Sequence, residues 1–236
     1  MPLWTAAILT LFPEMFPGVL GASLAEKAKD KGLWNLEIYN IRDFTTDKHH
    51  TVDDTPYGGG AGMVFKPDVV ANALDAILEQ HPERKTWPKV YLSPRGTPLN
   101  QVTVNTFAAK PGIILLCGRY EGVDQRVLEA YEMTEVSLGD YILAGGEVAA
   151  QVVCEAVVRL LPGAVGDPAT HTEESFSSGL LEYPHYTKPP VWRGVEVPAV
   201  LRGGNHAAIA SWRHRQAEDI TLARRPDLWR RWQEKK

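Results

Sequence analysis

Ser137-Leu138-Gly139-Asp140-Tyr141-Ile142-Leu143-Ala144-Gly145-Gly146-Glu147 sets three glycines between a predicted strand over 134–138 and a predicted helix over 147–161. Glycine tolerates positive φ and leaves bare backbone that a ligand can approach. A glycine-rich turn leading into a helix N-terminus suits a nucleotide-like ligand. The spacing is neither the dinucleotide fingerprint G-x-G-x-x-G nor a phosphate loop with Gly-Lys-Ser/Thr. Taken alone, the turn reads equally well as a tight β-to-α connection. Two further segments share its character: Leu92-Ser93-Pro94-Arg95-Gly96 and Cys117-Gly118-Arg119-Tyr120-Glu121-Gly122 also end apolar strands in glycine loops. Three such strand ends would line one crevice at the carboxyl edge of a parallel sheet, where ligands of this fold class bind.

A second polar concentration runs from Arg42 to Met63 and ends in Pro56-Tyr57-Gly58-Gly59-Gly60-Ala61-Gly62. It is longer than most connections in compact domains, and such loops are usually functional or disordered. Its Asp43, Asp47, His49, His50, Asp53 and Asp54 match no metal-ligand spacing, so a loop that orders on a substrate is the expectation. Taken by themselves, Arg159 is a salt-bridged helix end, Glu173 and Glu174 are solvated linker charges, and Trp229 and Trp232 are core.

The elements that would position these groups alternate. Apolar run 6–11 predicts a buried strand, 14–31 a helix stopped by Gly32, and 33–41 a second strand. Lys66-Pro67 opens a helix through Gln80 with proline near its first turn. Strands follow at 89–92, 112–117 and 134–138, and helices at 101–109, 123–131 and 147–161. Gly112-Ile113-Ile114-Leu115-Leu116-Cys117 is continuously apolar, as a central parallel strand covered on both faces must be. The pattern defines an α/β domain with a parallel sheet over 1–163. Pro162-Gly163 stops the last helix, 164–178 lacks apolar periodicity and reads as a linker, and 179–236 holds a proline-rich stretch followed by two basic helices at 205–217 and 220–233.

Composition sets the outer limits. The chain has 236 residues, 44% hydrophobic and 23% charged, an ordinary globular balance. No uncharged apolar run approaches the roughly 18 residues of a membrane span, and the first residues lack the basic region of a signal peptide. Cys117 and Cys154 are far apart in apolar segments, so free thiols in a reducing cytoplasm are expected. Net charge is −4, which argues against a generally basic nucleic-acid binder, yet residues 179–236 carry 11 Lys+Arg against 6 Asp+Glu, and residues 1–178 carry 14 against 23. An acidic body with a basic tail assigns the tail to an anionic partner.

Four motifs together are specific: Gly118-Arg119-Tyr120-Glu121-Gly122, Ser137-x-Gly139-Asp140-Tyr141-x-Leu143-x-Gly145-Gly146-Glu147, Pro56-Tyr57-Gly58-Gly59-Gly60-x-Gly62-Met63 and Pro184-His185-Tyr186-Thr187-Lys188-Pro189. On them the chain resembles the bacterial tRNA (guanine-N1-)-methyltransferases, from Leu11-Phe12-Pro13-Glu14-Met15-Phe16 to Gly204-Asn205-His206. The resemblance implies a SPOUT-type parallel sheet with a deep C-terminal trefoil knot, a small mainly helical basic domain that binds tRNA, and methylation of the guanosine just 3′ of the anticodon. It further implies S-adenosylmethionine as methyl donor, held bent by main-chain groups among Tyr91, Leu92, Ser93 and Pro94, Gly118, Tyr120 and Glu121, and Ser137, Leu138, Gly139, Asp140, Tyr141, Ile142, Leu143, Gly145 and Gly146.

By the same resemblance, Arg159 matches the catalytic arginine, and Glu121 matches a glutamate associated with methyl transfer and its dependence on magnesium, with no fixed metal site implied. The family's general base is an aspartate directly before Ser-Phe. Here that position is Glu174, one methylene longer, which leaves open whether Glu174 or Glu173 takes the proton. Asp54, Tyr57, Gly59, His185, Tyr186, Asn205, His206, Trp212 and Arg213 are the expected RNA contacts, the anticodon stem-loop the expected target, and a homodimer with shared active sites the expected assembly. A SPOUT enzyme acting on another RNA nucleoside, and a non-catalytic RNA-binding relative, are the competing readings.

Overall fold

The computed structural model describes residues 3–166 and 174–235. The chain divides into two compact units, 1–166 and 167–236.

The first unit is built on five parallel strands: β1 (Trp4–Thr10), β2 (Trp34–Asn40), β5 (Lys89–Pro98), β6 (Gly112–Cys117) and β7 (Thr134–Ser137), ordered β2-β1-β6-β5-β7. Side chains alternate across a strand, and the core splits accordingly. Trp4, Ala6, Ile8, Ile113, Leu115 and Cys117 belong to one buried cluster. Ala7, Leu9, Ile114 and Leu116 belong to another, on the opposite face. The first face is covered by α1 (Ser23–Asp30), α3 (Gln101–Ala108) and α5 (Gly146–Val158), the second by α2 (Pro67–Gln80) and α4 (Gln125–Ala130). This double cover is why the 112–117 run is apolar throughout. Cys117 and Cys154 are free and buried; burial pushes the Cys154 thiol up to about 12. Among the described residues no helix is long and apolar enough to cross a membrane.

Several expectations need correction. The helix expected over 14–31 is two 3-10 turns, Pro13–Met15 and Gly18–Gly21, followed by α1. Pro17, Gly18 at φ +54 and extended Ala22 interrupt it. The polar stretch 42–63 is not structureless: β3 (Asp53–Asp54) pairs antiparallel with β4 (Val64–Phe65). The strand expected to end at Leu92 continues as β5 through a register shift between Leu92 and Thr97, so Ser93-Pro94-Arg95-Gly96 is a bulge within the strand rather than a loop after it. There Gly96 meets the Val136 backbone so closely that a Cβ would collide. α4 starts later than expected because Asp124 caps it, its carboxylate accepting from the Arg126 N–H at 3.0 Å.

The second unit holds a two-stranded hairpin, β8 (Val191–Trp192) with β9 (Val195–Glu196), and three helices, α6 (Ala199–Arg202), α7 (His206–Arg224) and α8 (Pro226–Gln233). The break expected near 217–220 does not occur. The Thr221 hydroxyl donates to the Ala217 carbonyl at 2.6 Å inside a continuous α7, and the chain breaks only at Pro226. Trp229 and Trp232 are partly exposed and stack on each other at 5.0 Å.

Gly146 begins α5 where a Cβ would stand 2.7 Å from the Cys117 Cα, and its N–H donates to the Gly118 carbonyl at 2.9 Å. Main chain faces main chain there, so neither side can yield. Gly146→Ala is expected to destabilise the first unit by about 2 kcal/mol, read as a lowered urea midpoint with unchanged slope; an unchanged midpoint would show that α5 can shift away from β6.

Candidate ligand cleft at the carboxyl edge of the sheet

Three adjacent strands, β6, β5 and β7, end on the same edge, and the segments leaving them enclose a cleft of about 370 Å³. Of the residues expected to hold the cofactor, all but one line it: Tyr91–Pro94, Gly118, Tyr120, Glu121, Ser137–Gly139, Tyr141–Leu143, Gly145 and Gly146. Asp140 is exposed and stands outside the lining. Arg95, Arg119, Gly122 and Ala144, which belong to the three segments expected to line the crevice but not to the expected cofactor contacts, also form the wall, and Val123, Val136 and Ala149 join it without having been anticipated.

The geometry follows from glycine. Tyr91 is almost fully buried, with burial raising its phenol's pKa above the ordinary value, and its ring fills the space beside two glycines. A Cβ at Gly118 would meet the ring at 2.8 Å, and one at Gly122 would meet the hydroxyl at 2.9 Å. Tyr120 itself takes a left-handed φ of +57, turning the 118–122 segment back on itself. In the third segment Ser137 ties its own turn, the Gly139 N–H donating to Oγ at 3.2 Å. Gly139, at φ +152, adopts a conformation that other residues rarely hold. The wall combines the backbone of Gly118, Gly122, Gly139, Gly145 and Gly146 with apolar Leu92, Val136, Leu138 and Ile142 and with Arg95, Arg119, Tyr120, Glu121 and Tyr141. Such a surface offers amide donors and carbonyl acceptors at fixed positions and apolar contact between them, the makeup of a small-molecule site.

The glycine-rich end of the 42–63 stretch is knitted to this site. The Glu121 N–H donates to the Met63 carbonyl, the Phe65 N–H to Gly122, and the Asp124 N–H to Phe65. Phe65 packs edge-on against Tyr120 at 5.9 Å. Gly62, at φ +86, sits against the Glu121 carboxylate, where a Cβ would collide. Of the RNA contacts expected here, Asp54 and Gly59 are exposed and Tyr57 is fully exposed, 101%.

Arg159 is the C-cap of α5, half-buried, its N–H donating to Glu155. Glu121 is exposed on the cleft wall. Glu173 lies outside the described residues. Glu174 belongs to the second unit. It opens a turn whose Ser177 hydroxyl donates to the Glu174 carbonyl at 2.6 Å, and it lines a second cavity of about 250 Å³ with Leu180, Tyr183, Arg213, His214 and Ala217.

The remaining second-unit candidates form an aromatic and basic group. Arg213 lies over the Tyr183 ring at 4.7 Å, His185 packs on Tyr183 at 4.9 Å and pairs with Glu182 at 2.8 Å, and Tyr186 faces Trp212 at 6.2 Å. Asn205 caps α7, accepting from the Ala208 N–H, and exposed His206 follows it.

The fold and the cleft place the chain among α/β proteins with an open cleft where parallel strands end, the position at which such folds take their ligands. The comparisons with known proteins narrow the class: the family model described as tRNA (Guanine-1)-methyltransferase TrmD matches residues 4–231. The chain is similar to proteins named tRNA (guanine-N(1)-)-methyltransferase from several bacteria. It is 58% identical over 227 residues to that of Jannaschia sp. strain CCS1 (96% of this chain, 92% of the relative). It is 56% identical over 231 residues to that of Rhodospirillum rubrum (96% and 93%), and 57% over 223 residues to that of Mesorhizobium japonicum (94% and 95%). The chain belongs to the tRNA (guanine-1)-methyltransferase family.

Gly62→Ala is expected to cost about 1–2 kcal/mol through its left-handed backbone and to loosen the seam between the two glycine segments. Amide exchange at Glu121 and Phe65 should speed up while that in β1 and β6 does not; unchanged exchange at those two amides would mean that the seam does not depend on the glycine.

Proposed function

We propose that this chain methylates N1 of the guanosine 3′ to the anticodon in tRNA, with S-adenosylmethionine as donor. The observation that carries the reading is the convergence of the three strand-end segments on one cleft of about 370 Å³ in a chain of this family. The residues fit such a donor. Gly118 and Gly122 let the Tyr91 ring pack against bare backbone, and Gly139 does the same for the Tyr141 ring. The wall of apolar side chains and glycine backbone suits a nucleoside with an amino-acid arm. Tyr91–Pro94, Gly118 and Leu138–Leu143 would hold the adenosine part. When bound, the donor supplies an electrophilic methyl group on its sulfonium.

The protein's own task is to make guanine N1 a nucleophile. That nitrogen carries a proton at neutral pH, and a carboxylate within hydrogen-bond reach can remove it. We assign this to Glu174, the position before Ser175-Phe176. As the proton leaves, negative charge moves onto O6, where a fixed cation stabilises it; Arg159 is the group assigned. Glu121 would steady the 118–122 segment against Gly62. The base must leave its stack to expose N1, and the 53–65 segment with the aromatic and basic group of the second unit would hold the RNA around it.

Two copies are proposed to complete each site. In support, α5 carries an outward apolar pair one turn apart, Val148 and Val152, at 48% and 45% exposure, and Ile142, just before α5 in the chain, is 80% exposed. Exposed apolar side chains grouped in this way are what an interface covers. The bare-backbone crossings at Gly96 and Gly146 support a further proposal, that the strand-end segments thread through one another as a knot. A cytoplasmic location accords with the buried free thiols.

Glu174→Gln should abolish nearly all methylation of a tRNA transcript while S-adenosylmethionine still binds; near-wild-type turnover would reassign the base. Replacing the target guanosine by adenosine should eliminate labelled methyl incorporation, and continued labelling would point to another nucleoside.

A further inference from the structure

Thr10, Arg119 and Glu147 come from three separate elements and meet behind the cleft wall. Glu147 is the second residue of α5 and is completely buried. Its Oε1 accepts from the Thr10 hydroxyl at 2.8 Å, and its Oε2 lies 3.0 Å from Arg119 Nη2. That approach is off the N–H direction, so Oε2 has no hydrogen-bond donor among the described residues, and the contact is chiefly charge against charge.

Arg119 works on the cleft side of the same contact. Its guanidinium lies 4.2 Å from the Phe12 ring centroid, donates to the Ala144 carbonyl at 3.3 Å and touches Met15 Sδ at 3.2 Å. Its Nε is buried without a hydrogen-bond partner among the described residues, beside Gly145, whose Cβ would collide with it. The side chain is 17% exposed and lines the cleft.

A buried ion pair is often replaceable by apolar residues at no loss of stability, so holding the fold together does not by itself account for a carboxylate here. What the pair does set is the charge that Arg119 brings to the wall, beside exposed Arg95 and Glu121, which also line it. A lone guanidinium would place a cation beside any ligand in the cleft, in surroundings where charges act strongly on one another. S-Adenosylmethionine is itself a cation at sulfur, whereas its spent form, S-adenosylhomocysteine, is a neutral thioether there.

We propose that Glu147 is a charge-balancing positioning residue. It neutralises Arg119, which anchors the 141–145 segment through Ala144, and so lets the cleft accept a sulfonium donor as readily as the neutral by-product. This inference rests on the reading of the cleft as the S-adenosylmethionine site. Neither residue takes part in bond making; both act on the reaction through the affinity for the donor.

The test is calorimetric titration of both ligands into wild type and Glu147→Gln. Glutamine keeps the acceptor for Thr10 and nearly the same volume, but removes the charge. Affinity for S-adenosylmethionine should fall by about tenfold more than affinity for S-adenosylhomocysteine. The double variant Glu147→Gln/Arg119→Met, with both charges of the pair removed, should return the ratio of the two affinities towards that of wild type. Equal losses for both ligands in the single variant, or a double variant whose ratio stays with the single one, would overturn the proposal and leave the pair a structural strut. If Glu147→Gln does not fold, Arg119→Met carries the test. Its uncompensated carboxylate should shift the ratio towards the sulfonium, and equal losses would again overturn the inference. Wild type that binds neither ligand would instead remove the reading of the cleft itself.

Discussion

The close approach of one stretch of main chain to another is the constraint on which the first unit depends. At Gly96 the β5 bulge lies against the Val136 backbone, and at Gly146 the start of α5 lies against Cys117. At Gly118 the backbone makes way for the Tyr91 ring. A side chain at any of these points would push the neighbouring segment outward. The three strand ends would then no longer share a cleft, and its amides and carbonyls would lose their fixed directions. Glycine costs conformational entropy on folding, and the two-sided core around β1 and β6 supplies the burial that offsets it.

The same constraint explains how distant parts of the chain reach the cleft. The 53–65 segment is held by main-chain hydrogen bonds to 121–124 rather than by side-chain packing alone, so its exposed tip, with Tyr57, is anchored beside the site. Behind the wall the anchoring is electrostatic, through Thr10, Glu147 and Arg119. In front of it, Leu92, Val136 and Ile142 are apolar. With the Arg119 charge balanced from behind by Glu147, the wall on that side presents fixed dipoles rather than a lone cation, an arrangement that suits a ligand whose charge changes when it reacts.

Much of this was legible in the sequence, for identifiable reasons. The 112–117 run announced a doubly covered strand because both its faces are buried, and Pro67 marked the start of α2 because proline fits the first helical turn. The glycine loops were recognisable as a group because each follows an apolar strand. The misses have physical causes as well. β3 and β4 pair over two residues each, too short for any periodicity. The bulge in β5 depends on contact with Val136, some forty residues on. The Glu147–Thr10 bond spans 137 residues, and an acid in the first turn of a helix is common enough to carry no sign of it. Arg119 sat within a recognised motif, yet its ion pair with Glu147 was invisible until the strands were side by side. α7 was divided in two because Glu218 and Asp219 interrupt its apolar pattern, while the side chain that bonds within it, Thr221, carries no sign of doing so in sequence.

The account makes one claim above the others: that this cleft serves the methylation of a single ring nitrogen in RNA. The most direct measurement is mass-spectrometric mapping of the modified nucleotide after the purified protein is incubated with unmodified tRNA and S-adenosylmethionine. One 1-methylguanosine, placed immediately 3′ of the anticodon, is the predicted result. A methyl group on another base or at another position, or none at all, would contradict it.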